Sequence, residues 1–96
     1  MKYEILALLK PENTEEQVDL AIEKMKKNIE AINGNFVDAE KWGKRETPYA
    51  FKKYKGLNEA YYVLINFEKE QGELTKLDYN IKIDENVVRH MITKKD

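Results

Sequence analysis

The charged side chains of this chain are grouped by sign along the sequence. Six bases and one acid lie between positions 41 and 55, whereas five acids and no base lie between positions 12 and 23. The formal net charge is only -1, which argues against a protein that coats nucleic acid by bulk attraction. A local basic surface on a near-neutral body is typical of a protein that contacts RNA over part of its area. An ordinary solvated loop would give the same pattern.

Residues that commonly carry catalysis are sparse. His90 is the single histidine, and the chain has no cysteine and no serine for it to activate. The acids at 12–23 and Asp84-Glu85 are interpreted as a helix start and a turn, because a hard metal needs several oxygens that converge on one centre. The four glycines are isolated, so no phosphate-binding loop is present. We expect no enzyme, no metal site and no cofactor.

Length and composition predict one domain over residues 1–96. The hydrophobic share is 42%, which is ordinary for a globular chain, and no apolar run approaches the roughly 18 residues that a membrane span needs. The N-terminus lacks the layout of a signal peptide, and no cysteine is available for a disulfide framework. We therefore expect a cytoplasmic protein with no membrane partner.

Hydrophobic periodicity predicts six elements. Alternation over Lys2–Leu9 indicates a strand, and a helix should then begin at Thr14, which with Gln17 forms a capping box. This helix should run to Ile32 and close at Asn33-Gly34, with Gly34 as the left-handed residue. A second strand over 35–53 is long and irregular, with a bulge at Trp42-Gly43 and an edge position favoured by Pro48. A loop over 54–59, a strand over 60–67, a helix over 70–79 with Gly72 in its first turn and a strand over 84–93 complete the chain.

The order β-α-β-β-α-β predicts an α+β, ferredoxin-like βαββαβ fold: a four-stranded antiparallel sheet with two helices on one face. The helix-covered face should bury Tyr3, Ile5, Ala7, Leu9, Tyr61, Val63, Ile65 and Phe67. In the last strand, alternation groups Val87 with Arg89 and Met91 on one face, against Val88, His90 and Ile92 on the other.

The other sheet face, here called the open face, has no remaining element to cover it. It should carry Leu6, Leu8, Tyr62 and Leu64, where a solvated face would be polar. Four contiguous apolar side chains suggest a contact surface for protein or nucleic acid, although scattered surface hydrophobics, or the second strand folded over them, would also explain them. The third strand lacks the aromatic signature of RNA-recognition motifs, so RNA contact should run through basic side chains to phosphates and sugars.

Four segments carry a resemblance to a known family. They are Lys2-Tyr3-Glu4, Trp42-Gly43-Lys44-Arg45, Glu59-Ala60-Tyr61-Tyr62-Val63-Leu64 and Ile83-Asp84-Glu85-Asn86-Val87-Val88-Arg89-His90-Met91-Ile92-Thr93-Lys94. Together, and in this order, they resemble the bacterial small-subunit ribosomal protein S-six family over nearly the whole chain. One segment departs from it, because Thr47-Pro48-Tyr49-Ala50-Phe51 stands where the family usually has Leu-Ala-Tyr-Pro-Ile.

The resemblance implies a non-catalytic, ribosome-bound protein that pairs with ribosomal protein S-eighteen and binds the central domain of small-subunit ribosomal RNA, with no small-molecule substrate. The RNA-phosphate candidates are Lys2, Lys44, Arg45, Arg89, Lys94 and Lys95, each of which could instead be a solvated base or form an internal ion pair. The partner-surface candidates are Leu6, Leu8, Trp42, Tyr62 and Leu64, and Trp42 fits core packing equally well.

Two other classes of function compete with this interpretation. A ferredoxin-like module that senses a small molecule would favour a glycine-rich loop between the first strand and the first helix, and residues 9–14 contain no glycine. An acylphosphatase-like enzyme would need an anion-binding loop with an arginine in the same place, and none occurs there. Since one fold serves many functions, fold alone excludes neither.

Overall fold

A computed structural model describes residues 1–46, 59–70 and 72–95. The elements follow in the predicted order: β1 (Lys2–Leu9), α1 (Glu15–Ala31), β2 (Asn35–Glu46), β3 (Glu59–Glu68), α2 (Thr75–Lys82) and β4 (Val87–Lys94). The strands form one antiparallel sheet in the order β2-β3-β1-β4. The ferredoxin-like α+β fold is thus confirmed.

The hydrophobic core lies between the two helices and one face of the sheet. Each of the eight side chains predicted for that face is at most 8% exposed. Helix α1 contributes Val18, Ala21, Met25 and Ile29, and α2 contributes Leu77 and Ile81. Both helices bury their apolar stripes against the same face of the sheet, and among the described residues no helix or strand covers the opposite face.

Helix α1 begins as predicted and ends differently. The backbone N–H of Gln17 donates to Thr14 Oγ1 at 3.2 Å, and that of Thr14 donates to Gln17 Oε1 at 2.8 Å. At the other end, the left-handed residue is Asn33, with a φ of 64°, and not Gly34 as predicted. Asparagine tolerates this conformation. Gly34 is required for space instead, because a Cβ there would lie 2.7 Å from Ile29 Cγ2.

Helix α2 starts later than predicted, at Thr75 instead of position 70. Gly72 lies before the helix with a φ of 155°, a backbone conformation that a helix cannot contain. The predicted boundary relied on Leu74 and Leu77, whereas the pair that α2 buries is Leu77 and Ile81, four residues apart.

The turn after α2 also shortens the predicted last strand. The backbone N–H of Asn86 donates to Asp84 Oδ1 at 2.9 Å, and that of Val87 donates to the Asp84 carbonyl at 3.0 Å. Residues 84–86 therefore form a turn, and β4 begins at Val87, not at 84.

Three register shifts change which face the side chains of the edge strands occupy. They lie between Phe36 and Asp38, between Lys41 and Gly43, and on β4 opposite Leu8 and Leu9. The second is the bulge predicted at Trp42-Gly43. The third was not predicted: Leu9 pairs with Val87 and Leu8 with Arg89, so Val88 is the extra residue. Simple alternation along β4 was therefore wrong, because Val87 is buried in the core and Arg89 lies on the open face.

The sheet order confirms an edge position for β2. Three predicted features lie outside the described residues: the continuation of this strand beyond Glu46, Pro48, and the loop over 54–59 up to residue 58. In the described part of the chain, no helix is long and apolar enough to cross a membrane.

The end of α1 gives a test that uses two adjacent positions. Gly34→Ala should lower the free energy of unfolding by about 1–3 kcal/mol, because the new methyl group overlaps Ile29 in a packed core. Asn33→Gly should change it by no more than about 0.5 kcal/mol, because glycine adopts the left-handed conformation freely. Urea denaturation followed by circular dichroism measures both. The opposite ranking would contradict the close approach of Gly34 to Ile29.

Candidate functional site

The antiparallel registers align the side chains of the open face in rows that cross the sheet. Three rows run from β2 to β4, and neighbouring rows are about 7 Å apart because two residues of a strand span that length. The aromatic row is Gly43, Tyr62, Leu8 and Arg89; the middle row is Glu40, Leu64, Leu6 and Met91; the polar row is Asp38, Asn66, Glu4 and Thr93.

The middle of the open face is apolar, as predicted, and part of it reaches solvent. Leu6, Tyr62 and Leu64 are half-buried, and Met91 is 53% exposed. Leu8 lies on the same face but is only 8% exposed, so its side chain offers little area for contact. Sequence reasoning missed Met91, because its place beside Leu6 depends on the bulge in β4.

Trp42 lies on the open face and not in the core. Its ring is stacked on Tyr62, with 6.5 Å between the ring centroids and an angle of 9° between the planes. The guanidinium carbon of Arg45 lies 5.0 Å from the Trp42 ring centroid. Such a cation–π contact stabilises by about 0.5–1 kcal/mol at exposed sites. The stack joins two candidates for the partner surface, Trp42 and Tyr62, to an RNA candidate, Arg45.

The bulge at Trp42 is the reason that Arg45 reaches this stack. Lys41 pairs with Val63 and faces the helices, and strict alternation from Lys41 would turn Arg45 to the same side. Because the bulge adds one residue, Arg45 pairs with Ala60 and faces the open side. Gly43 supplies the bulge with a φ of +83°, and a Cβ there would meet no atom within 4 Å. The requirement for glycine is thus one of backbone conformation.

On the helix side of the bulge, Lys41 connects β2 to the first turns of α1. Its Nζ donates to Asp19 Oδ1 at 2.7 Å and to Glu15 Oε2 at 3.1 Å. The Tyr61 hydroxyl donates to Glu15 Oε1 at 3.0 Å. Lys41 belongs to the basic segment 41–55, and its two partners belong to the acidic segment 12–23. The sequence shows both charged segments, but only the fold brings them into contact.

This network shifts the pKa values of its members. The hydrogen bonds from Lys41 and then from Tyr61 lower the pKa of Glu15 below its ordinary 4.5. The carboxylates of Asp19 and Glu15 raise the pKa of Lys41 well above its ordinary value. Burial, followed by the hydrogen bond to Glu15, raises the pKa of Tyr61. Lys41 therefore stays charged at neutral pH and uses its charge within the protein.

The six basic RNA candidates are all exposed but do not form one cluster. Arg45 and Arg89 lie on the open face near the aromatic row, on opposite edge strands on the order of 14 Å apart across the sheet. Lys2 and Lys95 lie beyond the polar row, where both line a cavity of about 260 Å³. Lys44 and Lys94 pair with Tyr61 and Tyr3 and so face the helix side.

Lys95 is already engaged within the protein. Its Nζ donates to Asn66 Oδ1 at 3.2 Å and lies 3.8 Å from Glu4 Oε2. His90, which faces the helices, lies with Nε2 at 2.7 Å from Asp78 Oδ1 and so links β4 to α2. In the described segments, no group of three acidic, histidine or cysteine side chains could hold a metal ion.

Comparison with known proteins identifies the family. Residues 2–94 match the family described as ribosomal protein S6. The chain belongs to this family. The small ribosomal subunit protein bS6 of Carboxydothermus hydrogenoformans is 36% identical over 95 residues, which cover 99% of this chain and 96% of the relative. The bS6 of Alkaliphilus metalliredigens is 42% identical over 93 residues, which cover 97% and 95%.

A solved structure confirms the family fold. The 30S ribosomal protein S6 of Thermotoga maritima is similar with a TM-score of 0.85 and 26% identity, over 98% of this chain and 86% of that one. The resemblance drawn from sequence segments is thereby confirmed, and this S6-family chain is a small-subunit ribosomal protein. Its Trp42-Gly43-Lys44-Arg45 segment, one of those segments, is the bulge that brings Arg45 to the open face.

The Lys41 network of this S6-family protein predicts a pH-dependent contribution to stability. Because folding lowers the pKa of Glu15, the contribution is present above the unfolded value of about 4.5 and is lost as the pH falls through the folded value. Lys41→Met should therefore be less stable than the parent at pH 7, and the difference should shrink below about pH 4.5. Urea unfolding at pH 3 to 8 measures it.

Lys44→Met is the matched control, because Lys44 is also exposed on the helix side of β2 and makes no ion pair with another described residue. This variant should show no such change with pH. A gap between parent and Lys41→Met that is equally large at pH 3 and pH 7 would contradict an origin in Glu15.

Proposed function

We propose that this chain serves as a structural, non-catalytic component of the small ribosomal subunit, where it binds the central domain of small-subunit ribosomal RNA together with ribosomal protein S-eighteen. Membership of the S6 family supports a place in the small subunit, in the cytoplasm. RNA and the protein partner are assigned to adjoining parts of the open face. The observation that carries this assignment is the Arg45–Trp42–Tyr62 stack, which joins a basic group to the apolar part of the face.

The protein partner is proposed to cover the middle of the open face. Leu6 and Leu64 pair across β1 and β3 at its centre, with Tyr62 in the next row and Met91 at the edge. An antiparallel sheet that faces water alternates to polar residues, and the middle of this face does not. Contiguous exposed apolar surface with polar surroundings is typical of a protein interface. Trp42 extends this surface toward Arg45.

RNA is proposed to meet the arginine end of the open face. Arg45 and Arg89 can each fork onto two phosphate oxygens, which a lysine cannot do. Lys2 and Lys95 on the same face are further candidates, and Lys44 and Lys94 would serve RNA that wraps toward the helix side. With a net charge of -1, the chain has little long-range attraction for RNA. It should bind RNA weakly alone and more tightly with its partner.

Reconstitution tests the proposal. The purified chain is mixed with S-eighteen from the same genome and with a central-domain RNA fragment that its primary binding protein has already ordered. A ternary complex in native electrophoresis supports the proposal. The proposal fails if no ternary complex forms on the pre-ordered RNA.

The RNA contacts are tested in that complex. Arg45→Ala and Arg89→Ala should each weaken RNA capture and reduce the slope of log affinity against log salt by about 1, because each removes a phosphate contact. Filter binding at several salt concentrations measures both quantities. Lys27→Ala is the control, since Lys27 is an exposed base on α1, on the far side of the sheet. Equal slopes for all three variants would contradict the assignment.

The protein contact is tested at the centre of the open face. Leu64→Asp should lower the affinity of the S-eighteen heterodimer by tenfold or more, because it would bury a carboxylate without a partner, at a cost on the order of 2 kcal/mol or above. Titration calorimetry measures it, with thermal unfolding to check the fold. Leu20→Asp is the matched control, because Leu20 is 69% exposed on α1. An unchanged heterodimer affinity for Leu64→Asp would refute the open-face contact.

A further inference from the structure

The middle row of the open face contains one carboxylate among apolar side chains. Glu40 pairs with Leu64, which pairs with Leu6, which pairs with Met91. Glu40 is exposed, and within the described segments it makes no hydrogen bond and no ion pair. Its charge is therefore not balanced by any other described residue, and it lies beside the apolar side chains at the centre of the face.

The carboxylates of the neighbouring polar row differ, because both have partners. Asp38 Oδ1 accepts a hydrogen bond from Asn66 Nδ2 at 2.7 Å, and Glu4 lies 3.8 Å from Lys95 Nζ. Asp38 and Glu40 are two residues apart on the same face of β2, so they reinforce each other's negative potential about 7 Å apart. This half of the open face carries four acids, Glu4, Asp38, Glu40 and Glu68, against the two bases Lys2 and Lys95, whereas the half with Arg45 and Arg89 is basic.

This polarity selects the kind of molecule that can cover each half. An RNA backbone carries one negative charge per phosphate, so it would be repelled by Asp38 and Glu40 and attracted by Arg45. A polypeptide that packs on Leu6 and Leu64 would remove water from Glu40. That loss is costly unless the polypeptide brings a cation to the carboxylate.

We propose that the protein partner on the open face is a basic polypeptide that places a lysine or arginine against Glu40. This inference rests on the proposed function, which assigns the middle of the face to a protein, and adds the charge and the orientation of that protein. The cationic segment of the partner lies toward the Asp38 and Glu40 side of β2. The main RNA contact is thereby placed at the opposite end, at Arg45 and Arg89.

Charge reversal at Glu40 is the direct experiment, with S-eighteen as the probe. Glu40→Lys should weaken the heterodimer by roughly tenfold to a hundredfold, because it sets like charges against each other, and Glu40→Gln should weaken it by a smaller factor. Glu40→Gln should also flatten the dependence of the association rate on salt, which a loss of fold would not do. Stopped-flow association and titration calorimetry give these values.

Glu23→Lys and Glu23→Gln are the matched controls, because Glu23 is an exposed glutamate on α1, on the other side of the sheet. Neither should change heterodimer affinity or salt dependence. If Leu64→Asp disrupts the heterodimer while both Glu40 variants bind normally, this inference is overturned and the proposed function stands. If the Glu40→Lys chain binds S-eighteen normally and captures RNA more tightly, RNA occupies this half of the face, which also overturns it. If the parent chain forms no heterodimer, the proposed function fails as well.

Discussion

The β-bulge at Trp42-Gly43 is the constraint on which the arrangement of the interaction surface depends. One extra residue in β2 places Lys41 on the helix side and Arg45 on the open side, although four positions of regular alternation would put them together. Lys41 then pairs with two acids of α1, and Arg45 stacks on Trp42. The bulge thus separates bases that are adjacent in sequence into one that stabilises the protein and one that is available to a ligand.

A β-bulge redirects side chains in each of the two edge strands, β2 and β4. In β4 the extra residue Val88 allows Val87 to join the core while Arg89 turns to the open face. Without these bulges, alternation would place Arg45 with Lys41, and Arg89 with Val87, on the helix side. Bulges at sheet edges commonly redirect side chains in this way. Two arginines can therefore lie beside an apolar surface on a chain with almost no net charge, because the two bulges turn both side chains to the open face.

The parts of the fold that depend on local periodicity were predictable from the sequence, whereas the parts that depend on register were not. The buried face of β1, the capping box at Thr14 and the apolar open face follow from alternation or from contacts a few residues apart. That Val87 faces the core could be predicted only from the pairing of β4 with β1, which the sequence does not show. The link from Lys41 to α1 spans 22 and 26 residues. The helix boundary at Thr75 depended on the backbone conformation at Gly72, which composition does not specify.

In the proposed assembly, the stack of Arg45, Trp42 and Tyr62 couples the two binding events. Trp42 is 37% exposed in the free chain, so a protein partner that covers Leu64 and Tyr62 would also exclude water from part of the indole. Removing water strengthens the attraction between the ring and the guanidinium, and holds the guanidinium in one place. A guanidinium that is already ordered loses less entropy when it binds a phosphate. Because such coupling is reciprocal, RNA bound at Arg45 would stabilise the protein pair by the same factor.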